Sequence, residues 1–240
     1  MSDVPQPTRR LDRCVIELTG CSRREAENFI AGGWVRVDGE VVEQPQFPVT
    51  GQAVTLDPGA SAAPAEAATM LLHQPAGLDA AAALAVVTPE SRWDEDPSGW
   101  RLLHRHFHRL QAAMPLPPGA SGLAVFSQDH RVLRHLADAG SRLEQEWLVD
   151  VEGELSPYGW KRLSGGTTFA GWPVAPFKVS WQSEQRLRFA IKGVRPGLLD
   201  WLCAEVGLRA TASRRLRIGR IALAKMPPAT WRYLPPSDRF

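Results

Sequence analysis

Apolar side chains recur at Leu11, Cys14, Val15 and Leu18, the i, i+3, i+4, i+7 stripe of an amphipathic helix. Ser22 opens a second helix. Glu25 stands three residues on, so the two can satisfy each other's free backbone donors as a capping box. Ala26, Phe29 and Ile30 form the buried face, and Gly32-Gly33 ends the helix. The period then changes to two. Residues 34–37 read as a strand, Asp38-Gly39 as a tight hairpin turn and residues 40–42 as the return strand, with a further short strand over 53–56. The pattern predicts a small helix–helix–hairpin domain over residues 8–57. Residues 58–69 are rich in Ala and Pro, have no period and carry one charge, Glu66, which is the composition of a linker.

Residues 70–240 form the second predicted domain. Strands are expected at 123–126, 146–151, 187–191 and 216–223, and helices at 131–139 and 196–206. Pro196 is placed at a helix start, where its missing N–H is harmless, and Gly207 just past the end. Leu198, Trp201, Leu202 and Val206 form the buried stripe of that helix. Strands and helices do not alternate strictly. The expectation is an α+β architecture, with a mixed or antiparallel sheet and helices packed on it.

The chain has 240 residues, of which 44% are hydrophobic and 22% charged, enough for two folded domains. The net charge of +2 says little, but residues 186–220 carry nine Lys or Arg against two acids, Asp200 and Glu205. Such a run suits a polyanion; a solvated charged face is the plainer alternative. Cys14, Cys21 and Cys203 make neither a disulfide framework nor a paired metal site. Cys14 and Cys203 fall at apolar helical positions and are expected in the core. Residues 1–10 have no apolar stretch behind their charges, so they do not read as a signal peptide, and the longest apolar run, 80–87, is far short of a membrane span. A soluble cytoplasmic protein is expected, with no membrane partner. His104 and His108 are spaced i, i+4, as helical zinc ligands can be, but no Cys or clear carboxylate ligand stands beside them. With His106 they read more simply as a basic surface segment, one that protonation near pH 6.5 would strengthen at about the usual imidazole pKa.

Three runs carry a resemblance: Arg9-Arg10-Leu11-Asp12, Cys21-Ser22-Arg23-Arg24-Glu25-Ala26 and Gly33-Trp34-Val35-Arg36-Val37-Asp38-Gly39. Together they resemble the RNA-binding domain named after ribosomal small-subunit protein four, the S-four domain. Arg23 and Arg24 sit in the first turn of the second helix, where free N–H groups already favour an anion and two guanidiniums complete a phosphate site. A surface pair that merely supports the helix is the bland alternative. The resemblance implies structured RNA as partner and Arg10, Arg23, Arg24 and Arg36 as its contacts. Glu40 departs from the family, which usually carries Lys after the hairpin glycine.

The larger domain resembles the pseudouridine synthases that modify ribosomal RNA. The residues that carry this are Leu72-His73-Gln74-Pro75-Ala76-Gly77, Ser121-Gly122-Leu123, Glu144-Gln145-Glu146-Trp147-Leu148-Val149, Lys192-Gly193, Arg215-Leu216-Arg217-Ile218-Gly219 and Trp231-Arg232-Tyr233-Leu234. Their order and spacing, rather than any one of them, are specific. Ala139-Gly140 before the Glu144 strand is similar to the branch that modifies 23S ribosomal RNA and a transfer RNA. The resemblance implies a monomer acting on ribosomal or transfer RNA, with no metal and no organic cofactor. It also implies Arg215 and Arg217 as RNA contacts. In the family reaction a uridine is flipped from its stack, an aspartate attacks the nucleoside, and the detached base rotates and rejoins through carbon.

Counting back from Ser121 places that aspartate at Pro117 and the arginine before it at Pro115. With a gap that matches Arg109-Leu110, the position becomes Gln111. Neither is an acid, and Asp94, Asp96 and Asp129 belong to other segments. The aromatic stacking position is Trp147, a Lys before it is Gln145, and a basic family stretch is replaced by Arg195-Pro196-Gly197-Leu198-Leu199-Asp200. The expectation is an RNA-binding protein that has lost the isomerase chemistry. An active isomerase with a relocated acid, or a metal- or protein-binding role at the histidine segment, are the alternatives.

Overall fold

The computed structural model describes residues 7–140, 142–164 and 166–240. These divide into two compact units. One comprises the described residues up to Ala67 together with Arg101–His108; the other comprises Ala68–Trp100 and Arg109–Phe240.

The first unit opens with β1 (Arg9–Arg10) and α1 (Leu11–Thr19), followed by α2 (Arg23–Ala31), β2 (Val35–Val37), β3 (Glu40–Val41), β4 (Pro48–Val49) and β5 (Val54–Leu56). The capping box is complete: the Ser22 hydroxyl accepts from the Glu25 N–H at 3.3 Å and Glu25 accepts from the Ser22 N–H at 2.8 Å. Asp38 and Gly39, with φ of 50° and 87°, make the hairpin turn between β2 and β3. β5 pairs with the other edge of β2. Leu11, Val15, Ala26, Ile30, Val35 and Val37 form the buried core. Cys14, expected in that core, is half-buried at its margin. The pairing of β1 with β4 was not legible, because two-residue strands leave no period.

The expected linker has no helix or strand until Thr69, where β6 (Thr69–Gln74) begins; Ala68 and Thr69 are buried. After β6 come α3 (Ala80–Val86), β7 (Gln111–Ala113), β8 (Ser121–Ser127), α4 (His130–Ala139), β9 (Glu144–Gly153), α5 (Gly159–Ser164), β10 (Thr168–Phe169), β11 (Trp172–Pro173), β12 (Lys178–Ser183), β13 (Arg186–Lys192), α6 (Leu198–Ala204), β14 (Leu208–Ile218), β15 (Ile221–Ala222) and β16 (Trp231–Tyr233). Among the described residues, nine strands form one mixed sheet in the order β12-β13-β9-β14-β8-β6-β16, with β15 on β14 and β7 on β8. β8 and β14 run parallel; the other neighbours are antiparallel. The α+β expectation holds, with helices packed on a mixed sheet.

Several expected boundaries move, and two of the shifts change the role of a residue or strand. The helix predicted from 196 begins at Leu198, capped by Gly197 in the left-handed conformation with φ 78°. Pro196 therefore precedes the cap rather than filling the first helical turn. The strand predicted over 216–223 is the end of a longer strand that turns at Gly219-Arg220 into β15. One buried cluster joins Trp147, Val149, Leu187, Phe189 and Leu202, with Cys203 buried as expected; another joins Leu71, Leu123, Val125, Leu136 and Ile218.

Candidate functional site

In β9, Gln145, Trp147, Val149 and Val151 are buried while Glu144, Glu146, Leu148 and Asp150 are more exposed. This period of two gives one side of β9 to the core and the other to charge. Gln145, Trp147 and Arg215 of β14 line a cavity of about 510 Å³ in the second unit, together with Met114–Pro118, Phe169, Trp172 and the stretch from Lys192 to Pro196. Its lining holds three cations, Lys192, Arg195 and Arg215, and no Asp or Glu among the described residues.

Arg215 is the most unusual group there. It is 2% exposed. Its Nε donates to the Leu123 carbonyl at 2.8 Å, one Nη to the Met114 carbonyl at 2.8 Å and the other weakly to Gln145 Oε1 at 3.5 Å. All three acceptors are neutral. Burial alone pushes its pKa down to about 9. The guanidinium lies 5.6 Å from the centre of the Trp147 ring, and Trp147 Nε1 donates to the same Gln145 oxygen at 3.2 Å. Arg195 covers the exposed ring of Trp172 at 4.2 Å. A second cavity of about 350 Å³ shares Pro117, Pro118, Val194, Arg195 and Pro196 with the first, and its lining includes one acid, Asp200 of α6.

In the first unit, Arg36 donates to Asp57 at 2.8 Å and 3.4 Å and to the Gly39 carbonyl at 2.9 Å. Arg101 reaches the same carboxylate at 2.7 Å, donates to the Gly33 carbonyl at 2.6 Å and stacks 3.9 Å from the Trp34 ring centre. Hydrogen bonds from Arg36, then Arg101, hold the Asp57 carboxyl below its usual pKa. Glu43 accepts from the backbone N–H groups of His104 at 2.8 Å and Arg105 at 3.3 Å.

The S4 domain profile matches residues 9–54. An uncharacterized RNA pseudouridine synthase of Aquifex aeolicus is 26% identical over 229 residues, covering 94% of this chain and 92% of that relative. The ribosomal small subunit pseudouridine synthase A of Pseudomonas aeruginosa is 26% identical, with 94% and 96% covered. The dual-specificity RNA pseudouridine synthase RluF of Salmonella typhi is 25% identical, with 94% and 75% covered. A crystal structure of a pseudouridylate synthase has the same fold, with a TM-score of 0.59 at 17% identity and 94% and 95% covered. The chain is thus similar to RNA pseudouridine synthases along nearly its whole length and carries an S4 domain over residues 9–54.

Of the two positions that could match the aspartate of a pseudouridine synthase, Pro117 lies in the cavity wall. Gln111 lies on β7 opposite Ser127, outside the wall. Asp96 is taken up by Arg92 at 2.7 Å, and Asp129 caps α4 by accepting from the Arg131 N–H at 2.8 Å. Neither these nor Asp94 line the cavity.

Arg215 and Arg217, grouped by motif, part company. A β-bulge shifts the register between them, so Arg215 sits opposite Trp147 and Arg217 opposite Glu146. One points to the cavity; the other pairs with Glu144 at 2.7 Å and Glu146 at 3.3 Å. Four of the nine cations of the basic run are in such pairs: besides Arg217, Arg186 binds Asp150, Arg188 binds Glu146 and Arg209 binds Glu152. In the first unit Arg10 bonds to Asp12 at 3.1 Å and Arg23 to Glu27 at 3.0 Å, while Arg24 is exposed and outside the ion pairs of the described residues.

The histidine expectation needs correcting. His104–Phe107 is a 3₁₀ helix with His108 already extended, and three residues per turn does not stack i on i+4. His106 is buried rather than part of the surface. No group of three or more metal-ligating side chains occurs among the described residues. No described helix is long and apolar enough to cross a membrane. Trp172 and the Arg101–Trp34 stack escaped sequence reading. The one signal for the first was a Trp set between Gly171 and Pro173; the second joins residues 67 apart and left none.

Proposed function

We propose that this chain is a cytoplasmic, monomeric RNA-binding protein that uses a pseudouridine synthase fold without performing the isomerisation. The observation that carries the reading is the cavity wall: Pro117 stands where the family pattern calls for the aspartate, and no described lining residue is an acid. The reaction needs a carboxylate to form its covalent adduct with the nucleoside. A proline offers no nucleophile, and its ring fixes the loop. The S4 domain and the names of the relatives support structured ribosomal or transfer RNA as the partner.

A second reading rests on Asp200. It lines the neighbouring cavity and shares with the first the wall formed by Pro117 and Pro118. An RNA-driven movement of that wall would bring a carboxylate to the site. Tritium release from ribosomal RNA labelled at uridine C5 separates the two. The expected result is release at background level for both the wild type and Asp200→Asn. Robust release that Asp200→Asn abolishes would overturn the proposal in favour of the second reading.

A further inference from the structure

A buried ion with no counter-ion is costly, and proteins rarely keep one unless something binds it. Arg215 is such an ion. It forms none of the ion pairs of the described residues, and its hydrogen bonds to Leu123, Met114 and Gln145 use three of the five N–H groups that a guanidinium carries. The space beside it is not filled by the protein. It is a cavity of about 510 Å³ whose lining adds two more cations, Lys192 and Arg195, and the aromatic rings of Trp147, Phe169 and Trp172. That volume is in the range of small-molecule sites.

We propose that this cavity seats a phosphate monoester, with the phosphate held by Arg215 and the attached base or sugar against the aromatic wall. A guanidinium matches phosphate oxygens through paired N–H groups, and a dianion balances Arg215 together with a second lining cation. The aromatic faces favour a nucleotide over inorganic phosphate, because a base adds stacking that a bare ion lacks. A neutral nucleoside would leave the buried charge uncompensated. This inference shares the acid-free wall with the preceding reading but concerns binding, not turnover.

Gln145→Glu provides the decisive variant. Its side-chain oxygen lies 3.5 Å from Arg215 Nη1 and 3.2 Å from Trp147 Nε1, so the substitution installs a carboxylate of the same shape where the protein now has an amide. The internal carboxylate competes with any external anion, yet it neutralises a buried charge and so supports the fold.

The test is calorimetric titration of the full chain with inorganic phosphate, uridine 5′-monophosphate and uridine at constant ionic strength, with thermal unfolding run alongside. We expect saturable single-site binding of phosphate, tighter binding of the monophosphate, and uridine weaker than the monophosphate by about tenfold or more. Gln145→Glu should weaken the monophosphate by about tenfold or more while raising the melting temperature of the ligand-free protein, which excludes misfolding as the cause. Arg23→Ala with Arg24→Ala should leave this binding unchanged. Absence of saturable phosphate binding, uridine as tight as its monophosphate, or undiminished affinity in Gln145→Glu would each overturn the proposal. So would loss of binding in the Arg23/Arg24 variant, since that would move the site to the first unit. Competition by 5′-phosphorylated but not dephosphorylated RNA would identify an RNA end as the source; competition by neither would identify the free nucleotide. Tritium release is a separate readout, so an active isomerase and a missing phosphate seat remain distinguishable.

Discussion

At Gly122 the backbone leaves no room for a side chain. Its φ is 104°, and a Cβ built there would stand 2.7 Å from the Arg215 nitrogen and closer still to the Arg215 carbonyl oxygen. The close approach is the parallel pairing of β8 with β14, the same pairing that sets Arg215 into the cavity wall. Gly122→Ala should therefore cost about 3 kcal/mol, from backbone strain and overpacking together, measured by urea unfolding. His73 supplies a pH prediction. Its Nδ1 lies 2.7 Å from the Met226 carbonyl, which can only accept, so Nδ1 carries the proton of the neutral ring. Burial pushes its pKa below the usual value. The unfolded chain then takes up a proton near pH 6.5 that the folded chain does not, so the His73 contribution falls as pH drops from about 6.5 to the lowered folded pKa, then levels off. Unfolding free energies at successive pH values should show that slope in the wild type and a flatter one in His73→Gln. At this scale the motifs pointed to Pro117, Trp147 and Arg215, all three of which line the cavity. They could not tell Arg215 from Arg217, because a bulge reverses a strand's faces without leaving a mark on the alternation.

Elements with a strong period were the most legible. The capping box, the two stripes of α1 and α2 and the tight turn at Asp38-Gly39 were written in the sequence because each depends on residues within a few positions of one another. β1 and β4 were not, and neither was the cap at Gly197, where the left-handed turn outweighed the usual preference for Pro in the first helical turn. The start of α2 is where an RNA prediction belongs. Arg24 is exposed and outside the ion pairs of the described residues, and Arg23 shares an exposed pair with Glu27 of the kind that contributes little. Arg23→Ala with Arg24→Ala should weaken binding to structured RNA similarly across sequences and reduce the slope of affinity against salt, because backbone contacts release counterions. Filter binding at several salt concentrations checks this. An unchanged slope would remove both arginines from the phosphate interface.

For the molecule as a whole, the boundary drawn from composition and the boundary drawn by packing differ. Composition suggested a linker after residue 57, whereas packing groups the described residues up to Ala67 with the first unit; the return of Arg101–His108 to that unit was not legible, since nothing local announces a partner some 60 residues earlier. A fragment ending at Ala67 would lack the Arg101 stack on Trp34 and its bonds to Asp57 and Gly33. In the full chain, Arg101→Ala should destabilise the first unit by about 1–2 kcal/mol, the loss of a half-exposed cation–π contact and a charged hydrogen bond. Hydrogen exchange of α1 and α2 amides reads that loss directly. The acids of β9 have a consequence for recognition. By offering carboxylates to Arg186, Arg188, Arg209 and Arg217, the strand already supplies what a nucleic-acid backbone would bring. At those four arginines, an incoming strand of RNA would have to displace the protein's own imitation of itself to gain a hold.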